Sequence, residues 1–280
     1  MAVATARTVK ALRRSIAGWR GAGETIALIP TMGALHEGHL ALARLARGHA
    51  DRVLVSIFVN PTQFAPNEDF SAYPRPLRDD VRKLAGLADL IFVPSVDEMY
   101  PGGSATTVSL AGPAAVGLED RFRPTHFQGV ATVVAKLLIQ AMPDVAIFGE
   151  KDFQQLKVVT RMTRDLHLPV RIVGGATVRE PDGLALSSRN RYLSPDQRIR
   201  APELYRALRD CAEAIRAGRG PVEAVLEARA ALASAGFEVD YVEARHAETL
   251  TPIASALDGP IRLVAAARLG TTRLIDNVSV

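Results

Sequence analysis

The chain has 280 residues, 48% hydrophobic and 23% charged, enough to bury one large α/β core and a smaller second one and too apolar for a disordered polypeptide. Its 34 basic and 30 acidic residues leave a net charge of +4, too small and dispersed to specify nucleic acid, and no apolar run reaches membrane-spanning length. The single cysteine, Cys211, excludes an internal disulfide and a cysteine zinc cluster. Flanked by Leu208 and Ile215, it reads as a small buried helix residue.

In chain order, residues 1–14 alternate small, apolar and basic side chains. That composition overlaps with transit peptides. However, Val9, Leu12 and Ile16 share one helical face and predict an amphipathic first helix. Short apolar runs at 25–29, 53–59, 90–93 and 145–148 predict strands, and 39–50, 75–85 and 129–140 predict helices between them. Repeated β-α-β order implies a parallel sheet with helices on both faces and ligands at the carboxyl ends of its strands.

After residue 178 the pattern changes. Asp182-Gly183 reads as a turn, Ser194-Pro195 as an N-cap followed by the first helical position, and Pro202 as a break before a helix over 203–217. A further helix over 221–235 ends at Gly236, and 237–244 and 261–267 read as paired strands. The expected domains are therefore 1–178, parallel α/β, and 179–280, a small α+β unit.

The strongest motif is Pro30-Thr31-Met32-Gly33-Ala34-Leu35-His36-Glu37-Gly38-His39, which leaves the first predicted strand and enters a helix. A helix start offers N–H groups and a positive dipole end to phosphate, and two histidines three apart add donors on one face. Histidines that merely cap or bridge a loop are the bland alternative, and the strand-to-helix context favours the phosphate reading. Zinc is discounted, because His-x-x-His supplies two ligands and no third is evident. No G-x-x-x-x-G-K-[ST] occurs, and Gly21-x-Gly23 precedes the first strand, the wrong side for a dinucleotide fingerprint.

Four further segments carry weaker signals. Gly149-Glu150-Lys151-Asp152 follows a predicted strand, where Lys151 can face phosphate and Asp152 can accept from a ribose hydroxyl or cap a helix. A capped helix with a solvated charge cluster explains it equally well. Leu186-Ser187-Ser188-Arg189 could clamp a polyphosphate or be an ordinary polar loop. Asn60-Pro61-Thr62-Gln63 offers carboxamides to a substrate or ends a strand in a turn. After Asp69-Phe70-Ser71-Ala72-Tyr73, the pair Asp79-Asp80 could hold Mg²⁺, or could be the acidic residues that a first helical turn favours.

Together P-T-M-G-A-L-H-E-G-H, V-S-I-F-V-N-P-T-Q-F, R-P-T-H-F, F-G-E-K-D-F-Q-Q-L, D-G-L-A-L-S-S-R-N-R-Y-L and the terminal L-I-D-N resemble the pantothenate synthetase (pantoate–β-alanine ligase) family over nearly the whole chain. H-x-G-H alone is shared by a broad nucleotidyltransferase-like superfamily, whereas the other segments are more specific. The resemblance implies a Rossmann-like, nucleotidyltransferase-type parallel-sheet domain binding ATP and pantoate, with a smaller α+β lid domain. It implies a cytoplasmic homodimer that requires Mg²⁺ and joins pantoate to β-alanine through pantoyl adenylate, while the charge and the apolar-run lengths speak against nucleic acid and membrane as partners.

By the same resemblance, Met32, Gly33, Ala34, Leu35, His36, Glu37, Gly38 and His39 would lie along ATP, with His36 and His39 on phosphates and His39 a proton donor. Gly149, Glu150, Lys151 and Asp152 would meet ribose and phosphate, with Lys151 at the reacting phosphorus. Val178 would touch the adenine, and Leu186, Ser187, Ser188 and Arg189 would close over the phosphates. Gln63, Gln155, Pro30 and Met32 would bind pantoate or β-alanine, and Asp79 and Asp80 the metal. Leu186, Pro76 and Asp120 stand where the family often has Met, Thr and Gly.

Overall fold

The computed structural model describes residues 3–65 and 70–280; Asp69 of the motif above lies outside them. Two compact units divide the chain. The first comprises Met1–Glu150 and Gln155–Ala176, and the second Lys151–Gln154 and Thr177–Val280.

Alternation of apolar residues builds the first unit. Its strands are β1 (Ala4–Ala6), β2 (Ile26–Thr31), β3 (Arg52–Ile57), β4 (Leu90–Phe92), β5 (Val145–Gly149) and β6 (Arg171–Gly175). They form one parallel sheet in the order β1-β4-β3-β2-β5-β6. Side chains two apart share a face. Ala27 and Ile29, Val53, Val55 and Ile57, and Val145 and Ile147 accordingly meet in one buried cluster. Helices α1 (Val9–Gly21), α2 (Glu37–Arg47) and α3 (Leu77–Lys83) follow in chain order, and Leu35, Ala46 and Leu84 close that cluster from one side.

The short helices α4 (Val96–Met99) and α5 (Glu119–Phe122) precede α6 (His126–Ala141), which packs on α1 and β2 and is buried around most of its circumference. The helix α7 (Phe153–Asp165) leads to β6. The expected strands at 25–29, 53–59, 90–93 and 145–148 all exist within two residues at each end. Sequence reading missed β1 and β6, which are short edge strands with little apolar content to mark them.

The second unit contains α8 (Pro195–Arg200), α9 (Glu203–Arg216) and α10 (Pro221–Ser234), then β7 (Glu238–His246), β8 (Ile261–Leu269) and β9 (Thr272–Ser279). The strands form an antiparallel sheet in the order β7-β8-β9. Ser194 and Gln197 cap α8 reciprocally, with Pro195 at its first position. Along α9, Leu204, Ala207, Leu208, Cys211, Ala212 and Ile215 recur at three- and four-residue intervals and are all buried against the sheet. Burial pushes the Cys211 thiol up to about 11. Strand β9 was missed: Arg273, Asp276 and Asn277 interrupt its apolar pattern, for reasons the site makes plain.

Candidate active site

In the first sheet the chain runs outward from β2 through β3 to β4, then returns to lay β5 on the opposite side of β2. This reversal is a topological switch point, and the crevice outside the carboxyl ends of such strands is where open α/β sheets bind ligands. The two strongest sequence signals leave these two strands.

At the end of β2, Gly33 (φ 80°) and Ala34 (φ 51°) adopt consecutive left-handed conformations. Glycine is the natural choice at the first, because an added Cβ would also lie 3.0 Å from both an Asp80 oxygen and Ile57. The turn aims two N–H groups backwards. Ala34 N–H donates to Asp80 Oδ2 at 2.9 Å and Leu35 N–H to Asp80 Oδ1 at 2.8 Å, while Lys83 Nζ donates to the Leu35 carbonyl at 2.5 Å. Asp80 is wholly buried.

This geometry does not suit the expected metal pair. Both Asp80 oxygens serve the turn, and Asp79 is exposed and paired with Arg82 at 2.9 Å. Among the described residues no group of three His, Cys, Asp or Glu could hold a metal ion. Likewise the N–H groups of Ala34 and Leu35 face Asp80, so their expected contact with ATP would have to come through other atoms.

Helix α2 begins directly after this braced turn, with His36 at its N-cap and Glu37 its first residue. His36 N–H donates to His39 Nδ1 at 3.3 Å, and the two rings lie 4.1 Å apart between centroids. An Nδ1 that accepts carries no proton, so the neutral His39 ring bears its hydrogen on Nε2 and is a donor there. The exposed Glu37 carboxylate turns instead to Arg44, 2.6 Å away, whose hydrogen bond holds it below the usual carboxylate range.

Beyond β3, Asn60 caps the turn Pro61–Gln63. Tyr100 Oη donates to Asn60 Oδ1 at 2.8 Å, and Asn60 Nδ2 donates to Gln63 Oε1 at 3.1 Å and to the Gly129 carbonyl at 3.2 Å. The Gln63 amide orientation is thereby set, and its Nε2 points at Met32 Sδ, 3.2 Å away. Two expected substrate residues from different strands, Met32 and Gln63, thus meet. From α6, His126 Nδ1 donates to the Gln63 carbonyl at 3.0 Å, and Arg123 Nη2 adds a second donor at 3.3 Å. Close approach of α6 requires Gly129, where a Cβ would sit 2.4 Å from the Thr62 carbonyl oxygen. Burial raises the Tyr100 hydroxyl above its ordinary value.

Three other expected positions fall near strand ends of the same sheet. Pro30 pairs with Ser56 beyond the reach of the β2–β5 ladder, so its missing N–H costs no bond there. Gly149 ends β5, and Gln155 lies in the first turn of α7.

The remaining expected residues belong to the second unit, except Glu150, which closes the first. Lys151 and Asp152 occupy the turn Glu150–Asp152, and the Lys151 carbonyl accepts from Asn277 Nδ2 at 2.9 Å. Leu186 N–H donates to the Val178 carbonyl at 3.0 Å, beside the bridge between Arg179 and Ala185, so these two expected nucleotide residues are neighbours. Ser187 caps the turn Ser188–Tyr192 by accepting from Arg189 N–H at 3.3 Å, and Asn190 Nδ2 ties the turn to the Ala185 carbonyl at 3.0 Å. The departure at Asp120 builds local structure, since its carboxylate accepts from Gly117 and Leu118 N–H groups at 2.8 and 3.0 Å. Sequence reading missed Asp80, Tyr100 and Asn277 as supports, whereas the reading of Asn60 as ending a strand in a turn agrees with its cap. Only L-I-D-N and the acidic first turn of α3 were visible hints.

A six-stranded parallel sheet with imidazoles at a helix start beside its switch point defines a nucleotide-handling α/β protein with a second, α+β unit. The comparisons narrow this class. The family model for pantoate-beta-alanine ligase matches residues 4–279. Over 276 residues the chain is 59% identical to pantothenate synthetase of Rhodopseudomonas palustris (strain HaA2), covering 98% of each. Pantothenate synthetase from Thermus thermophilus superposes with a TM-score of 0.93 at 48% identity, covering 99% of both chains. The pantoate-beta-alanine ligase from Francisella tularensis, solved with β,γ-ATP and β-alanine, superposes with a TM-score of 0.82 at 34% identity over 99% of this chain and 98% of that one. The chain belongs to the pantoate-beta-alanine ligase family.

Proposed function

We propose that this chain is an AMP-forming ligase that condenses pantoate with β-alanine in two steps. A pantoate carboxylate oxygen attacks the α-phosphorus of ATP, the bond to the bridging oxygen breaks, and pyrophosphate leaves. The neutral amine of β-alanine then attacks the acyl carbon of pantoyl adenylate. The C–O bond to AMP breaks, the amine loses a proton, and pantothenate and AMP are released. Adenylation is needed because a bare carboxylate would have to expel oxide. Family membership across nearly the whole chain carries this reading.

The first step brings an anion to an anionic phosphate, so catalysis consists largely of placing positive charge and hydrogen-bond donors around the phosphates. His39, donating from Nε2, and His36 serve the phosphates at the start of α2; the bond that occupies His39 Nδ1 supports this assignment. Lys151 faces the reacting phosphorus, and Ser187, Ser188 and Arg189 hold the polyphosphate. Gln63, its amide oriented by Asn60, binds pantoate with Gln155 and Met32. Magnesium would accompany the triphosphate, and Asp79 and Asp80, already engaged by Arg82 and by the Ala34 and Leu35 N–H groups, do not fit it. A homodimer in the cytoplasm completes the reading, with its mass in solution as the check. Among the described residues no helix is long and apolar enough to cross a membrane.

The test is isotopic. With ¹⁸O in the pantoate carboxylate, one label should appear in AMP, and AMP release should require ATP, pantoate and β-alanine together. Label confined to pyrophosphate or water contradicts the adenylate. Lys151→Ala should lower turnover by about two to three orders of magnitude, the scale of losing one transition-state donor.

A further inference from the structure

The chemistry of the site leaves one polar cluster unexplained. Strand β9 ends the second unit, and at its centre Asp276 and Asn277 are buried, 4% and 3% exposed, on an element otherwise built to pack. Asn277 uses its whole side chain. Nδ2 donates to the carbonyl of Lys151 at 2.9 Å, across 126 positions of chain, and Oδ1 accepts from Arg262 Nε at 2.6 Å. Because Arg262 can only donate, the amide cannot flip, and its NH₂ is committed to the Lys151 side. Arg262, one strand over on β8, also lies across the ring of Phe153, its guanidinium carbon 4.2 Å from the centroid. Residues 151 and 153 are therefore both gripped from the same two strands.

Asn277 is itself held. Its N–H donates to Asp276 Oδ1 at 2.7 Å. Arg179 engages both Asp276 oxygens, at 2.6 and 2.9 Å, donates to the Gly183 carbonyl at 3.1 Å and stacks on Tyr205 at 3.7 Å. Arg179 is also the residue bridged to Ala185, at the base of the segment that leads to Ser187–Arg189. One dipeptide of β9 thus anchors both the Lys151 turn and the base of the serine-arginine loop.

We infer that Asn277 is a positioning residue for Lys151: by fixing the carbonyl of residue 151 it sets the base from which the lysine side chain extends. The inference rests on the proposed role of Lys151 at the reacting phosphate. A long lysine has four rotatable side-chain bonds, so the backbone is the part of it that the protein can hold still. A displacement of about 1 Å at a group that stabilises a transition state costs on the order of a hundredfold in rate.

The test is a double-mutant cycle in single-turnover adenylation. Asn277→Asp is nearly isosteric, keeps an acceptor for Arg262 and removes the donor to Lys151. It should lower the adenylation rate about ten- to a hundredfold, leave the KM for pantoate and β-alanine within about twofold, and cause no further loss in a Lys151→Ala background. Arg262→Met, which releases the Asn277 amide, should show the same pattern more weakly, and it replaces Asn277→Asp should that variant fail to fold. An unchanged rate in the single variant, or an equal additional loss on top of Lys151→Ala, overturns the inference, since a merely structural residue acts independently of the lysine. Near-normal turnover of Lys151→Ala alone would instead overturn the assigned role of Lys151.

Discussion

Asp80→Asn separates two meanings of the same carboxylate. In the structure its two oxygens accept from Ala34 and Leu35 N–H groups inside a fully buried setting. The carboxamide can present an oxygen to only one of them, and its NH₂ then opposes the other N–H. One hydrogen bond is lost, about 0.5–1.5 kcal/mol, and the opposed backbone N–H is left unsatisfied, at about 1–3 kcal/mol. A loss of about 1.5–4.5 kcal/mol is expected, a large share of the roughly 5–15 kcal/mol that stabilises a typical domain. At about 2–4 °C per kcal/mol for a unit of this size, the melting temperature should fall by about 3–18 °C. The Gly33–His36 turn would loosen with it, and turnover should drop about ten- to a hundredfold. The assay is thermal unfolding alongside a magnesium titration of the ATP-dependent rate. Unchanged stability with a magnesium midpoint moved upward would falsify the bracing role and restore Asp80 as a metal ligand.

Other perturbations probe the same supports. Gly129→Ala puts a methyl 2.4 Å from the Thr62 carbonyl oxygen, so it should destabilise the chain by about 1–3 kcal/mol and raise the KM for pantoate as the turn Pro61–Gln63 is pushed aside; denaturant titration and initial rates measure both. Tyr100→Phe removes the shortest of the hydrogen bonds to Asn60 Oδ1, loosening the amide whose Nδ2 fixes Gln63 Oε1. A cost of about 1 kcal/mol and a several-fold fall in kcat/KM for pantoate are expected, with KM for ATP unchanged. For Cys211 the folded thiol ionises near 11, above its ordinary 9.0. Its contribution is fully present below pH 9 and is lost as pH rises through about 11, amounting to about 2–3 kcal/mol. Cys211→Ala should therefore flatten the alkaline limb of a stability–pH profile and leave activity intact.

The sequence marks candidate ligand residues more readily than the residues that support them. His36, His39 and Lys151 stand out as candidates because reactive residue types follow strand ends, where the β-α order predicts a binding rim, whereas Ser187-Ser188-Arg189 follows only an isolated bridge. The long strands were legible for the same reason that they are buried: an unbroken apolar run has few alternatives. Asp80 reads from the sequence as a magnesium ligand or as a generic acid of a first helical turn, because nothing in the string reveals that two N–H groups 45 and 46 residues earlier point at it. Asn277 was harder still. Its partners Lys151 and Arg262 lie 126 and 15 positions away, and its neighbours spoil the alternation that would have marked β9 as a strand.

These two residues share a logic that local patterns cannot express. Each is a buried polar side chain that bonds the backbone of a candidate-site turn, Asp80 through both oxygens and Asn277 through Nδ2, its Oδ1 being held by Arg262. A loop at a strand end has no ladder to hold it, and its carbonyl and N–H groups need partners wherever they are buried. Supplying the partners of the Gly33–His36 turn from α3 and those of the Lys151 turn from β9, each within its own unit, fixes the two turns. Such a support is destabilising to lose, because it leaves a buried group unpaired. It is also silent in any motif built from residues that touch ligand. The buried polar residues Asp80, in the first turn of the charged helix α3, and Asp276-Asn277, within β9, are therefore where this sequence holds the backbone of its two candidate-site turns.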